Sequence, residues 1–209
     1  MTQDRNIAEI LKEHQTADWE QFPDLELYMD QLLSYVNRQQ PFPSAEPALT
    51  KSMVNNYIKQ EIIKRPNGKR YRQEHIAQLS MLVLLKEVLP IQDCQELFQE
   101  VGLYENTEET YAFFQESLTA ALNSTAELLA SAEGERDYGA EALRFALLSY
   151  ASRRVAMALL QEAKDARAPE TEEATKAKLK DGEERLSEPK VAKTKAKAKP
   201  KVKKSEEEE

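Results

Sequence analysis

The chain has 209 residues, with 29 basic and 37 acidic side chains, a formal net charge of −8, five glycines and a single cysteine. One cysteine excludes an intramolecular disulfide and fits a reducing cytoplasm, where we expect the protein to reside. The longest apolar run, Leu79–Leu85, is far shorter than the roughly 20 residues that span a bilayer, and the polar N-terminus lacks a signal-peptide core, so no membrane partner is expected.

The N-terminal part of the chain has the pattern of one amphipathic helix after a polar start. Residues 1–16 are polar and predict a flexible N-terminus that holds at most a short helix. Asp24–Gln39 then predicts a helix, because apolar residues such as Leu32 and Val36 recur at helical spacing on one face. We interpret that face as part of the core, with a groove for a partner as the alternative. Residues 40–48 contain three prolines and end the helical pattern.

A short helix over residues 50–59 follows, and Thr50 can cap it through its hydroxyl. Four apolar side chains share one face of this helix: Met53, Val54, Tyr57 and Ile58. Polar and cationic side chains occupy the other side: Lys51, Ser52, Asn55, Asn56 and Lys59. A helix of this size fits a DNA major groove, where Asn can read adenine and Lys or Arg can contact guanine or phosphate. A solvated surface helix is the ordinary alternative.

The next segment predicts a small basic β-hairpin. Glu61–Lys64 has the composition of a short strand, Asn67 and Gly68 give a strong turn signal, and Lys69–Arg72 forms the return strand. Seven cations oppose only one acid between residues 49 and 72, a local charge of about +6 whose usual partner is nucleic-acid phosphate. A helix followed by such a hairpin is the layout of a winged helix-turn-helix, in which the wing holds phosphates beside the groove.

Four further helices are predicted after the hairpin. The first, over 74–89, is apolar nearly all round and is therefore expected to be buried on several sides. The others cover about 92–100, 106–131 and 138–165. The last of them carries a predicted apolar stripe: Leu143, Ala146, Leu147, Tyr150, Ala151, Val155, Ala158 and Leu159. The last two form a predicted C-terminal helical hairpin within 106–163, packed against the core or across a dimer axis. The predicted fold class is mainly α: a winged helix-turn-helix with a small β-hairpin wing, a C-terminal helical hairpin and a disordered tail.

The composition changes at residue 164. Large apolar residues become scarce, which predicts a disordered charged tail over 164–209. Residues 190–204 contain eight lysines and no acid, and Glu206–Glu209 close the chain. The lysine block can add non-specific affinity for phosphate or can simply be solvated. Residues 1–163 carry 15 basic and 25 acidic side chains, so the folded part has a charge of about −10.

The order of these elements resembles the DNA-binding domain of MerR-type regulators. In that comparison 50–59 corresponds to the recognition helix, 62–72 to the wing, and 73–89 and 91–99 to the helices that follow. The resemblance implies a MerR-like winged-helix domain over 17–105 that binds DNA. Because MerR-type proteins dimerise through a C-terminal helix, it also implies a homodimer.

A second resemblance is closer. The segments LELYMDQ and LTKSMVNNYIK resemble a bacterial family catalogued only as domain of unknown function eighteen-thirty-six, over residues 17–160. That family name implies no established activity. The chain also departs from the MerR-type pattern, which has a glycine where this chain has Glu61 and a Ser or Thr where it has Arg72.

The sequence contains no recognisable catalytic or metal-binding motif. Its two histidines, His14 and His75, are far apart, and no Cys-His cluster, HExxH motif or calcium loop occurs. Gly68 is a lone turn glycine, and no Ser or Cys nucleophile has a recognisable histidine partner. We therefore interpret the chain as a non-enzyme without a cofactor or a metal, and Cys94 as a buried thiol.

Two functions are compatible with these patterns. The first is a DNA-binding transcriptional regulator, with its recognition helix in the major groove of double-stranded DNA and its basic wing on phosphates. The second is a protein-interaction adaptor that keeps the scaffold without binding DNA, which Glu61 and the negative net charge favour. The first helix of the motif also favours it, because the three prolines within 40–48 make that helix hard to find and the helix over 24–39 would have to take its place. The predicted DNA-binding residues are Lys51, Ser52, Asn55, Asn56, Tyr57, Lys59, Arg65, Lys69, Arg70 and Arg72. Tyr57 and Tyr71 are expected to pack or to form hydrogen bonds at the edge of the interface.

Overall fold

The computed structural model describes residues 6–39, 46–131 and 137–187, with side chains described as far as Arg167. Within these ranges the chain forms seven α-helices and a short 3-10 helix, which confirms a mainly helical protein. The chain divides into two compact units after Lys164, and the packing below is that of the first unit. The elements are α1 (Ile7–Glu13), the 3-10 helix (Trp19–Gln21), α2 (Met29–Arg38), α3 (Lys51–Lys59), α4 (Gln73–Leu85), α5 (Ile91–Glu100), α6 (Thr107–Ala130) and α7 (Tyr138–Ser187).

The core is organised around α4. Nine consecutive residues of this helix, from His75 to Val83, are buried, as its continuous apolar pattern predicted. Each aliphatic side chain buried in this way contributes about 1.5–3 kcal/mol to stability. The neighbouring helices supply further buried side chains: Leu32 and Val36 from α2, Val54 from α3, Cys94 and Phe98 from α5, and Tyr111 from α6.

A second, smaller apolar cluster attaches α1 to the rest of the unit. The Asn6 side chain caps α1 by accepting a hydrogen bond from the Ala8 amide over 3.2 Å. Ala8 and Leu11 then pack against Ala126 and Leu129 of α6, and all four are buried. Part of the segment that the sequence predicted as flexible therefore forms a packed helix.

The predicted β-hairpin wing is wrong, because no β-strand occurs among the described residues. The turn itself forms: the Arg70 amide donates to the Asn67 carbonyl over 3.2 Å, and Gly68 has a φ of +65°. Glycine with positive φ at the first central position is the pattern of a type II′ turn. The limbs do not pair further, because Pro66 has no amide hydrogen and the Lys64 amide donates to a side chain of α4.

The return limb pairs with the segment before α2 instead. Leu27 and Tyr71 exchange two backbone hydrogen bonds, of 2.8 and 2.9 Å, and form an isolated antiparallel bridge. Because Leu27 is committed to this bridge, the helix predicted here begins only at Met29. Gln31 closes the start of α2, since its Oε1 accepts a hydrogen bond from the Tyr28 amide over 2.9 Å.

The C-terminal helices form close to their predicted positions, but α7 does not bury its predicted apolar stripe against α6. Phe145, Met157 and Leu160 are the side chains of α7 that pack inward. The residues of the stripe are exposed, and those centred on Ala151, including Leu147 and Val155, lie on the opposite side of the helix. The helix continues to Ser187, into the predicted tail, whose lysine block at 190–204 lies outside the described residues.

The helices α3 and α5 end in the same hydrogen-bonded motif. After α3, the Glu61 amide donates to the Ile58 carbonyl over 3.2 Å, and the Ile62 amide donates to the Tyr57 carbonyl over 2.9 Å. After α5, the Gly102 amide donates to the Gln99 carbonyl and the Leu103 amide donates to the Phe98 carbonyl, so both helices end in Schellman motifs. The central residue needs a left-handed φ, which is +60° at Glu61 and +70° at Gly102. Glu61 therefore carries strain that a glycine avoids.

Relief of this strain tests the fold directly. Glu61→Gly is expected to raise the free energy of unfolding by about 0.5–1 kcal/mol, because glycine adopts a positive φ without a steric cost. Glu61→Ala is the matched control, since it removes the same charge but keeps a Cβ, and it should bring no such gain. Urea denaturation followed by circular dichroism measures both. Equal effects of the two substitutions would contradict the account.

Candidate nucleic-acid interface

An open recess of about 650 Å³ lies between α3 and the turn that follows it. Five of the predicted DNA-binding side chains line this recess, although they come from two separate segments: Lys51, Asn55, Lys59, Arg65 and Lys69. All five are exposed. Together with the neighbouring exposed residues Ser52 and Asn56, they form a surface that we call the α3–turn face.

The local sequence decides which side of α3 points outward. Thr50 caps the helix, since its hydroxyl accepts a hydrogen bond from the Met53 amide over 3.3 Å. Val54 is completely buried, which turns the opposite side of the helix to solvent. The exposed ridge carries side chains of the kinds that read base edges: Ser52, Asn55 and Asn56.

Two tyrosines that were expected at the edge of the interface lie in the core. Tyr57 is 8% exposed, so its predicted place among the DNA-binding residues is corrected: it supports α3 from beneath. Tyr71 is 4% exposed and meets the His75 ring edge-on, with the centroids 5.5 Å apart. Burial raises the pKa of both phenols, so both remain protonated at neutral pH.

Arg70 and Arg72 differ from the cations of the α3–turn face because each has an acidic partner. The Glu26 carboxylate lies 2.9 Å from Arg72 Nε and 3.8 Å from Arg70 Nε. The Arg70 guanidinium also lies over the Tyr28 ring, 5.1 Å from its centroid. Glu26 precedes Arg72 by 46 residues, in a stretch predicted to be helical, so sequence reasoning missed it. The backbone bridge at Leu27 brings it to this surface.

Two side chains of the core hold the start of the segment between α3 and α4. Gln78 Oε1 accepts a hydrogen bond from the Lys64 amide over 3.2 Å, and the Tyr104 hydroxyl donates to the Ile62 carbonyl over 2.9 Å. Burial, and to a smaller extent the charge of Glu105, raises the pKa of Tyr104 to about 12. The hydroxyl therefore remains a donor at neutral pH.

His75 holds the other end of that segment. Its Nδ1 accepts a hydrogen bond from the Arg72 amide over 3.0 Å, which is one half of a capping box at the start of α4. Burial is the main cause that lowers the pKa of His75 below its usual 6.5, while Glu74 acts to raise it. The neutral imidazole is the form that suits the folded chain, because Nδ1 must be unprotonated to accept this hydrogen bond.

No site for a metal ion or for a reactive thiol occurs among the described residues. In that part of the chain no group of three or more His, Cys, Asp or Glu side chains is placed to hold a metal ion. Cys94 is buried, as predicted, and burial raises its pKa to about 11, so the thiol is not a reactive nucleophile at neutral pH. None of the described helices is both long enough and apolar enough to cross a bilayer.

Residues 17–117 match the family described as Domain of unknown function (DUF1836), which supports the predicted family over a shorter segment than the predicted 17–160. The match begins before α2 and ends within α6, so it contains the whole α3–turn face. Searches among curated proteins and among solved structures found no match. The MerR-like winged helix is supported neither by these comparisons nor by the fold.

The position of His75 predicts how stability depends on pH. Because its pKa is lower in the folded chain than in the unfolded chain, the unfolded chain binds more protons below about pH 6.5. The contribution of His75 is therefore complete above that pH and is lost as the pH falls through the folded-state pKa.

His75→Gln keeps an acceptor for the Arg72 amide but does not titrate in this range. We expect its free energy of unfolding to decline less than that of the unmodified chain between about pH 7.5 and about pH 5.5. His14, whose pKa burial also lowers, still contributes in the variant, so the decline should shrink and not vanish. Urea denaturation at the two pH values measures this decline for both chains. An equal decline in the two chains would contradict the role given to His75.

Proposed function

We propose that the protein is a DNA-binding regulator of transcription and that the α3–turn face contacts double-stranded DNA. One observation carries this proposal: α3 and the turn, which are separate in sequence, present polar and cationic side chains around a common recess. A sequence-specific DNA-binding surface needs this combination, because phosphate contacts position the protein while base contacts specify the site.

In this proposal α3 supplies the base contacts. The helix has nine residues and its outer side is free of large apolar side chains. An α-helix is about 10–12 Å wide with its side chains, which matches a major groove about 12 Å wide. The amides of Asn55 and Asn56 can each donate to and accept from adenine, and the Ser52 hydroxyl can serve either role.

The turn supplies phosphate contacts from the other side of the recess. Lys69 lies in the turn and Arg65 just before it, while Lys51 and Lys59 come from α3. An open recess of about 650 Å³ between these cations leaves room for one phosphodiester strand. Lys64 is less available, because its ammonium lies 3.9 Å from the Glu74 carboxylate.

The distribution of charge favours one orientation on DNA. Residues 1–163 carry 25 acidic and 15 basic side chains, yet seven cations and one acid lie within 49–72. A duplex attracts the α3–turn face and repels the acidic remainder of the unit, which orients the protein before contact. Binding that depends on such attraction must weaken as salt is added.

Phosphate contacts can be counted from that salt dependence. Replacing Lys51, Arg65 or Lys69 by alanine should weaken binding to all duplexes alike and lower the slope of log affinity against log salt by about one unit each. Asn55→Ala should instead relax the preference among sequences without changing the slope. Fluorescence anisotropy with genomic and random duplexes at several salt concentrations measures both effects.

The control for this experiment is Lys12→Ala, which removes an exposed lysine of α1 and should leave the slope unchanged. Equal losses from Lys12→Ala and Lys69→Ala would place the DNA contact elsewhere. Binding that ignores both salt and sequence would contradict the proposal.

A protein-interaction adaptor is the second candidate, and acidic and apolar groups at the same face favour it. Asp30 lines the recess, and Glu26 occupies two arginines that would otherwise meet phosphates. The apolar residues Met29, Ile58 and Pro66 also reach the recess. A peptide that carries apolar side chains between charges of both signs would fit such a surface, because Asp30 lies there beside four cations.

Glu26→Gln separates the two candidates. It frees Arg70 and Arg72, so duplex binding at low salt should strengthen by roughly threefold to tenfold, with a gain that shrinks as salt is added. Glu20→Gln is the matched control, because it makes the same change of net charge at an exposed residue of the 3-10 helix. If Glu26→Gln gives no more than this control, the acidic group serves another partner and the adaptor is favoured.

A further inference from the structure

The outward side of α7 carries an apolar row that no other element covers in the described part of the chain. Phe145, Met157 and Leu160 fix the inward side of this helix. On the opposite side every fourth residue is aliphatic or alanine, and we call this row the α7 ladder: Leu143, Leu147, Ala151, Val155 and Leu159. The leucines and the valine of the ladder are 59–62% exposed.

We propose that the α7 ladder is the docking surface for a second copy of this chain, with the two α7 helices crossing in antiparallel directions at Ala151. Residues spaced by four form the ridges that interdigitate in the commonest class of helix packing. Alanine at the centre of the ladder lets the two backbones approach closely. The crossing point is thus the position with the smallest side chain in the row.

The symmetry of the ladder selects a second copy as the occupant. The row has nearly the same composition in both directions from Ala151, with Leu147 and Val155 nearest to it and Leu143 and Leu159 next. A two-fold axis at Ala151 therefore brings aliphatic side chains opposite aliphatic side chains along the whole row. Self-complementarity of this kind is what a two-fold symmetric interface requires.

The exposed area is sufficient for such an interface. Five large apolar side chains on this side of α7 are each at least 45% exposed: Leu143, Leu147, Leu148, Val155 and Leu159. At on the order of 100 Å² each, they offer about 500 Å² per copy, which is near the upper end of the largest apolar patch on an ordinary monomer. Two copies together bury roughly 1,000 Å², which is about the area that a specific interface needs.

This inference rests on α7 and does not depend on DNA binding. It is tested by sedimentation velocity of the full chain at micromolar concentration, where we expect a dimer. Ala151→Glu and Ala151→Lys should each give a monomer with unchanged circular dichroism, because like charges then meet at the crossing point. Mixing the two variants should restore the dimer, because opposite charges then meet there.

Phe113→Glu is the matched control, since Phe113 is 62% exposed on α6 and lies outside the ladder. This variant should remain a dimer. A monomeric unmodified chain overturns the proposal, and so does association that survives Ala151→Glu or that Phe113→Glu abolishes equally.

A second measurement reads the crossing point without relying on the effects of charge. Ala151→Cys should form a disulfide-linked dimer on mild oxidation with oxidised glutathione. The proposed crossing brings the two copies of this residue together, and a disulfide joins residues whose Cα atoms are roughly 4.4–6.8 Å apart. The unmodified chain is the control, since its Cys94 is completely buried. Failure of Ala151→Cys to cross-link in a chain that sediments as a dimer would place the interface elsewhere and overturn the proposal.

Discussion

The α3–turn face depends on how residues 62–72 are anchored to the core. Ile62 and Ile63 are each 1% exposed and hold the start of this segment in the apolar interior. The paired backbone bonds between Leu27 and Tyr71 hold its end. Only the tight turn between these anchors projects into solvent, so its cations remain beside α3 although residues 62–72 form no strand.

The same anchoring has a polar component inside an otherwise apolar helix. Gln78 is fully buried in α4, and its Oε1 accepts the Lys64 amide while its Nε2 has no hydrogen-bond partner. A buried amide group without a partner costs stability, on the order of 1–3 kcal/mol. An aliphatic residue at this position would pack more favourably but would leave the Lys64 amide without its acceptor. Gln78 therefore lowers the stability of the core somewhat, but it holds the start of the basic segment in place.

Local signals in the sequence were enough to predict the helices, because caps and apolar periods act over a few residues. Thr50 fixed the start of α3, and the continuous apolar pattern of α4 predicted its burial. The prediction of the wing was wrong because strand pairing is not a local property. Asn67 and Gly68 predict a turn, but strand pairing depends on distant partners, and Tyr71 pairs with Leu27. Glu26 was missed for the same non-local reason.

The helix α7 shows a different limit of sequence reasoning. It carries apolar side chains on two sides, so the period alone does not tell which side meets the core. Phe145 and Leu160 take that place in the folded unit, and the side with Leu147 and Val155 is left exposed. Packing decides between such sides, because both satisfy the same helical repeat.

The central claim is that α3 and the turn act as one DNA-binding surface. The most direct test is a nuclear magnetic resonance titration of the isotope-labelled full chain with a short duplex at low salt. The amide signals of Lys51, Asn55, Arg65 and Lys69 should shift together and return when salt is added, while that of Phe113 on α6 stays in place. Shifts confined to other surfaces, or shifts of α3 without the turn, would contradict the account.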